Sequence, residues 1–120
     1  MWNLALRTGL LFICALSLSF AGPLGYSQVN LVSDGTVPAV TTDPNLVNPW
    51  GMAFSGTSPI WAANNGTNTS TLYNGAGAPQ PAAQPLIVSV PGAPTGTVFN
   101  GTANFNGDRF IFATLSGTIQ

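Results

Sequence analysis

The chain has 120 residues, and only Arg7, Asp34, Asp43, Asp108 and Arg109 are charged. It has no Lys, Glu or His, and Cys14 is its single cysteine. These residues cannot supply a basic nucleic-acid surface, a Ser-His-Asp or Cys-His centre, a Schiff-base lysine or Walker A loop, a histidine or multi-thiolate zinc site, or a disulfide framework.

In chain order, residues 1–21 read as a secretory signal peptide. Arg7 is the positive n-region, Leu10 to Phe20 the apolar h-region, and Ser19 and Ala21 the small residues before a cut. A membrane span needs about 20 apolar residues, and Gly22, Pro23 and Gly25 interrupt the run too early. No transmembrane span is expected after cleavage. No lipid anchor is expected at Cys14, because Leu11-Phe12-Ile13 lacks the small residue that would precede a lipidated cysteine. The reading places the protein outside the cytoplasm: secreted, periplasmic or at the cell surface.

The segment from Gly22 to Gln120 has 99 residues, no Cys, and a net charge of −2 from three Asp and one Arg. Of these residues, 52 are Gly, Pro, Ser, Thr or Asn, a composition that favours turns and strand surfaces over helices. With no disulfide available, packing and sheet hydrogen bonds must hold such a domain. The predicted strands are Gln28–Val32, Gly51–Phe54, Ile60–Ala63, Ser70–Tyr73, Leu86–Val90, Thr97–Phe99, Phe110–Leu115 and Thr118–Gln120. Residues 36–44 and 75–85 are predicted loops. The pairs Asn65-Gly66, Asn74-Gly75, Asn100-Gly101 and Asn106-Gly107 suit type I′ hairpins, whose central residues need positive φ.

Two blocks recur. Pro49-Trp50-Gly51-Met52-Ala53-Phe54 matches Pro94-Thr95-Gly96-Thr97-Val98-Phe99 at an offset of 45. Ile60-Trp61-Ala62-Ala63-Asn64-Asn65-Gly66-Thr67 matches Ile111-Phe112-Ala113-Thr114-Leu115-Ser116-Gly117-Thr118 at an offset of 51. The extra residues fall in the turn-rich stretch 100–109. A period of about 40–50 residues with four strands per copy is the pattern of a β-propeller blade. The organisation is therefore a signal peptide (1–21), an N-terminal strand and loop (22–48), a first blade (49–93) and an incomplete second blade (94–120). One and a half blades fall short of the 4–8 of a propeller and leave open sheet edges, so a fragment of a longer protein is expected. A small β-sandwich complete in about 99 residues is the alternative all-β reading.

Asn30-Leu31-Val32-Ser33-Asp34 and Asp43-Pro44-Asn45-Leu46-Val47-Asn48-Pro49-Trp50-Gly51 resemble the start of a family of exported bacterial proteins of unknown function, some with a PEP-CTERM-type sorting tail. Thr71-Leu72-Tyr73-Asn74-Gly75, Pro94-Thr95-Gly96 with Val98-Phe99-Asn100, and Phe110-Ile111-Phe112-Ala113-Thr114 with Gly117-Thr118-Ile119 resemble its later blocks. The resemblance implies a longer, propeller-like protein and brings no catalytic residues. Its members often carry an acid where Asn64 and Ser116 stand here.

Asp43, Asn45 and Asn48 are the candidate metal ligands, because Ca²⁺ takes oxygens from Asp, Asn and backbone carbonyls. The preferred reading is that Asp43-Pro44 and Asn48-Pro49 form turns whose side chains cap local N–H groups. Asn64 and Asn65 beside Trp61 could meet sugar hydroxyls. A hairpin turn, with Trp61 between blades and matched by Phe112, is the simpler account. Trp50 is expected in the core and Asp108-Arg109 in a solvated turn. Asn65-Gly66-Thr67, Asn68-Thr69-Ser70 and Asn100-Gly101-Thr102 match the N-glycosylation pattern, which matters only in a host with that machinery.

No catalytic or cofactor-binding residue is expected. The favoured function is a binding or surface-interaction module with a carbohydrate or protein ligand and no nucleic acid. The alternatives are a propeller hydrolase or lactonase whose channel-metal ligands lie beyond Gln120, and a small structural sandwich.

Overall fold

The computed structural model describes residues 25–120. The expected signal peptide lies outside them. Among the described residues, regular structure is strand apart from one short 3-10 turn at Phe105–Gly107. No helix there is long and apolar enough to cross a membrane.

Strands β1 (Val32–Ser33) and β2 (Thr41–Thr42) form a short parallel pair. The expected strand over Gln28–Val32 thus shrinks to its last residue plus Ser33. The predicted loop 36–44 contains β2, because Ser33 and its backbone fold the segment back: Ser33 Oγ donates to Val37 O at 2.6 Å, and Thr41 N donates to Leu31 O at 2.9 Å.

A four-stranded antiparallel meander follows: β3 (Pro49–Ala53), β4 (Ile60–Asn64), β5 (Thr69–Tyr73) and β6 (Ile87–Ser89), in that spatial order. A separate hairpin joins β7 (Pro94–Phe99) to β8 (Phe110–Thr114). Beyond β8 the chain still pairs, with Ile119 bridged to Ala113 and Gln120 exchanging backbone hydrogen bonds with Phe112. None of the sheets closes on itself.

The repeat is visible in the register. Pro49 faces Asn64, Gly51 faces Ala63 and Met52 faces Ala62; Pro94 faces Thr114, Gly96 faces Ala113 and Thr97 faces Phe112. Both ladders slip at the same place, between the Pro and the Gly of the recurring hexapeptide. Each slip lodges one extra residue, Trp50 or Thr95, as in a β-bulge. The hexapeptide offset of 45 stands, but the second block is offset by 50, not 51. Trp61 therefore corresponds to Ile111, and Ala62 to Phe112. Sequence identity had favoured Ile60 over Ile111, yet a one-residue slip would have put every side chain on the wrong face.

The two units stack face to face. Trp61 and Ala63 of β4, with Val88 and Val90, pack against Phe110 and Phe112 of β8. Trp61 stacks on Phe110 with ring centroids 4.4 Å apart and planes 17° from parallel. Such a stacked pair adds about 0.5–1.5 kcal/mol beyond its area burial. Behind the aromatics β3 lies beside β7. A Cβ on Gly51 would meet Gly96 Cα at 2.8 Å and Thr97 N at 3.1 Å. Glycine is what lets these two backbones approach.

The opposite face of the first unit, with Ile60, Ala62 and Tyr73, lies under the N-terminal segment, where Leu31, Val32 and Leu46 border the same crevice. Trp50 departs from the core position expected of it. It is the extra residue of the β3 bulge and is 53 % exposed.

Of the four Asn-Gly pairs, only Asn106-Gly107 makes the expected turn. Both residues have positive φ, 56° and 83°, and Asp108 N donates to Phe105 O at 3.0 Å. At the β4–β5 connection the left-handed residue is Asn68 (φ 55°), three positions after Asn65. The loop there has four residues, so a two-residue I′ turn cannot form.

Candidate functional site

A polar arrangement surrounds the β4–β5 hairpin loop. The backbone N of Gly66 donates to Val47 O at 3.0 Å, and Thr67 Oγ1 donates to Asn45 O at 2.7 Å. Both bonds hold the segment entering β3. On the other side Asn65 Nδ2 donates to Pro94 O at 3.3 Å. Asn68 takes Ala93 N on its side-chain oxygen at 2.7 Å and Val90 N on its backbone oxygen at 2.8 Å. One loop therefore fastens both the approach to the first unit and the passage into the second.

Beneath the loop lies fully buried Asn64. Its Nδ2 donates to Thr69 Oγ1 at 3.2 Å and Thr71 Oγ1 at 2.9 Å, while its Oδ1 has no protein partner. The corresponding residue of the second unit, Thr114, contacts Ser116 Oγ at 2.9 Å and Thr118 Oγ1 at 2.8 Å. A polar hub recurs at the same register position of each unit, and in each it ties the hairpin to itself.

The candidate metal ligands divide between two places. Asp43 Oδ1 accepts from Asn45 N at 2.8 Å and from Asn45 Nδ2 at 2.9 Å. Its Oδ2 accepts from Tyr73 OH at 2.6 Å. Burial first, and then the Asp43 hydrogen bond, push the Tyr73 phenol above its usual range. Asn48 instead turns toward Asn65, donating to Asn65 Oδ1 at 3.4 Å from a left-handed backbone (φ 49°). The arrangement of Asp43 and Asn45 is that of an Asx turn locking a loop, with Tyr73 carrying the lock to the sheet. Tyr73 was the participant that residue pattern alone did not mark. Its place opposite Ile60, on the face toward Asp43, comes from pairing between distant segments.

Asp34 caps its own turn, taking Thr36 N at 2.9 Å and Thr36 Oγ1 at 2.6 Å, and these bonds hold its carboxyl below the usual range. Asp108 and Arg109 are exposed, as expected of a solvated turn. They rim a groove of about 620 Å³ between the units, whose floor includes Trp61, Val90 and Phe110. Asn65 and Trp61 take the bland roles of their two readings: Asn65 belongs to the hairpin loop, and Trp61 lies between the units.

No family model and no solved structure matches the chain. It is similar to an uncharacterised protein of Acanthamoeba polyphaga mimivirus, with 38 % identity over 97 residues covering 74 % of this chain. The chain spans about a fifth (21 %) of that relative's length.

Proposed function

We propose that this chain forms the first units of an exported β-propeller that works as a binding or surface-interaction module. The observation that carries the reading is the translation of one unit onto the next. The same bulge, the same glycine and the same alternation of faces recur, and the outward face of the first unit is buried by the second. Units that bury a face only on a neighbour are the material of repeat architectures, and in all-β proteins a ring of 4–8 four-stranded units protects their edges. A two-layer sandwich needs two faces to meet but does not need their registers to match.

Binding is favoured over hydrolysis by what occupies two of the three carboxylates. Asp34 and Asp43 already serve as turn caps. The exposed hairpin residues Asn68, Ser116 and Thr118 are neutral and retain donor or acceptor capacity beyond their internal bonds, which suits sugar hydroxyls or a polar protein surface. Export rests on residues 1–21, and Edman sequencing of the product released from a secreting host should begin at Gly22. The functional reading is tested by applying the full chain to an array of neutral glycans and, in parallel, assaying lactone and ester hydrolysis with millimolar Ca²⁺. Saturable glycan binding without turnover supports it. Calcium-dependent turnover without binding overturns it in favour of the hydrolase.

A further inference from the structure

The face of β7–β8 turned away from the first unit carries Gly96, Val98, Ile111 and Ala113, with Ile119 alongside. By register these positions repeat Gly51, Ala53, Trp61 and Ala63 of the first unit. Gly51, Trp61 and Ala63 are the residues on which the second unit sits. The copy in the second unit is bare. Val98 is 57 % exposed and Ile119 63 %, and a Cβ built on Gly96 meets nothing within 4 Å, where one on Gly51 would strike backbone.

We infer that this face is an interaction surface whose occupant is a further unit of the same repeat. That unit brings a glycine-bearing inner strand against Gly96 and two alternating apolar side chains, equivalent to Phe110 and Phe112, against Ile111 and Ala113. The inference rests on the stacked-unit reading above and specifies the chemistry of the next partner in the stack. Continuity with the observed interface supports this occupant. So does the length of the mimivirus protein, of which the matching region is only 21 %. A second copy of this chain fits less well. Ile60 and Ala62, its counterparts of Phe110 and Phe112, already lie against the N-terminal segment.

The register says how to build the test. Gln120 pairs with Phe112 as Thr71 pairs with Ala62. Repeating residues 72–120 directly after Gln120 therefore continues the second unit in phase and adds a third inner hairpin. In both the full chain and this extended chain, Cys14→Ser and Ala113→Cys leave one thiol on the face. Maleimide labelling of that thiol is expected to be at least tenfold slower in the extended chain, and Ile119→Asp at the first copy is expected to restore it. Equal rates in the two chains, while Ala62 and Ala63 amides stay protected in both, would overturn the inference. So would added residues whose amides exchange freely beside a protected first unit. Labelling of the unextended chain that slows with its own concentration would assign the face to a second copy instead. Small-angle scattering of the folded extended chain separates the docking face from the ring: a straight stack in which the Ala113→Cys thiol is protected would defeat the propeller and leave the docking face in place.

Discussion

At the scale of single residues, the two glycines of the recurring hexapeptide should answer oppositely to the same change. Gly51→Ala places a methyl against backbone atoms of Gly96 and Thr97 that cannot swing aside. It is expected to cost about 1–3 kcal/mol, the usual range for overpacking, and to loosen the second unit. Gly96→Ala meets open space and should leave the melting temperature of the full chain within a degree or two. Urea titrations of both variants would check this contrast. Tyr73→Phe removes the donor from Asp43 Oδ2, and losing the partner of a part-buried carboxylate costs about 1–3 kcal/mol. The Tyr73 phenol is harder to ionise in the folded chain than in the unfolded one, where its pKa is about 10. Its contribution to stability is therefore whole below about pH 10 and fades as pH rises through the folded-state value. Tyr73→Phe should flatten that alkaline loss in denaturation curves taken from pH 8 upward. The glycine was legible in the sequence as a repeated letter, but its reason, contact with its own copy, was not. The Asp43 turn was legible because Asp-Pro-Asn acts locally. Tyr73 was not, because thirty residues separate the two partners.

At the scale of elements, Ile60–Ala63, Ser70–Tyr73 and Phe110–Leu115 were placed within a residue or so of the strands that form, since alternation and β-branched residues act over short windows. Turns were harder. All four Asn-Gly pairs sit in connections longer than the two residues of a tight hairpin, and only Asn106-Gly107, inside the long β7–β8 connection, keeps the I′ turn. Residue likeness aligns the second block one residue out of register, because Ile60 and Ile111 are alike in type while the sheet matches position 61 to position 111. The contact between units depends on the side chains that this register brings inward. Phe112 is 4 % exposed and shares a cluster with Ala63 and Val90. Phe112→Ala should cost about 3–5 kcal/mol, the common range for removing a core phenylalanine. Hydrogen exchange should then show β7 and β8 losing protection while β4 and β5 keep theirs. Uniform loss across all four strands would mean that the units do not behave as separable layers.

At the scale of the whole molecule, scarce charge and abundant Thr, Asn and Gly follow from one design: stacked sheets with apolar faces between units and polar hairpin ends. The groove of about 620 Å³ lies between the units, at the side where β5 and β6 of the first unit have no fully built counterpart in the second. The all-β class was legible from composition alone. The stacking was legible only as a repeat, because no single element carries it. The second unit repeats the first and lies against it through Gly51 and Gly96. The most direct measurement is a nuclear Overhauser spectrum of the labelled chain. Strong cross-peaks are expected between the α-protons of Gly51 and Gly96, together with contacts from the Trp61 ring to the Phe110 ring. Protected strands without those cross-peaks, or Gly51 α-protons in contact with residues of another segment, would contradict the stacking.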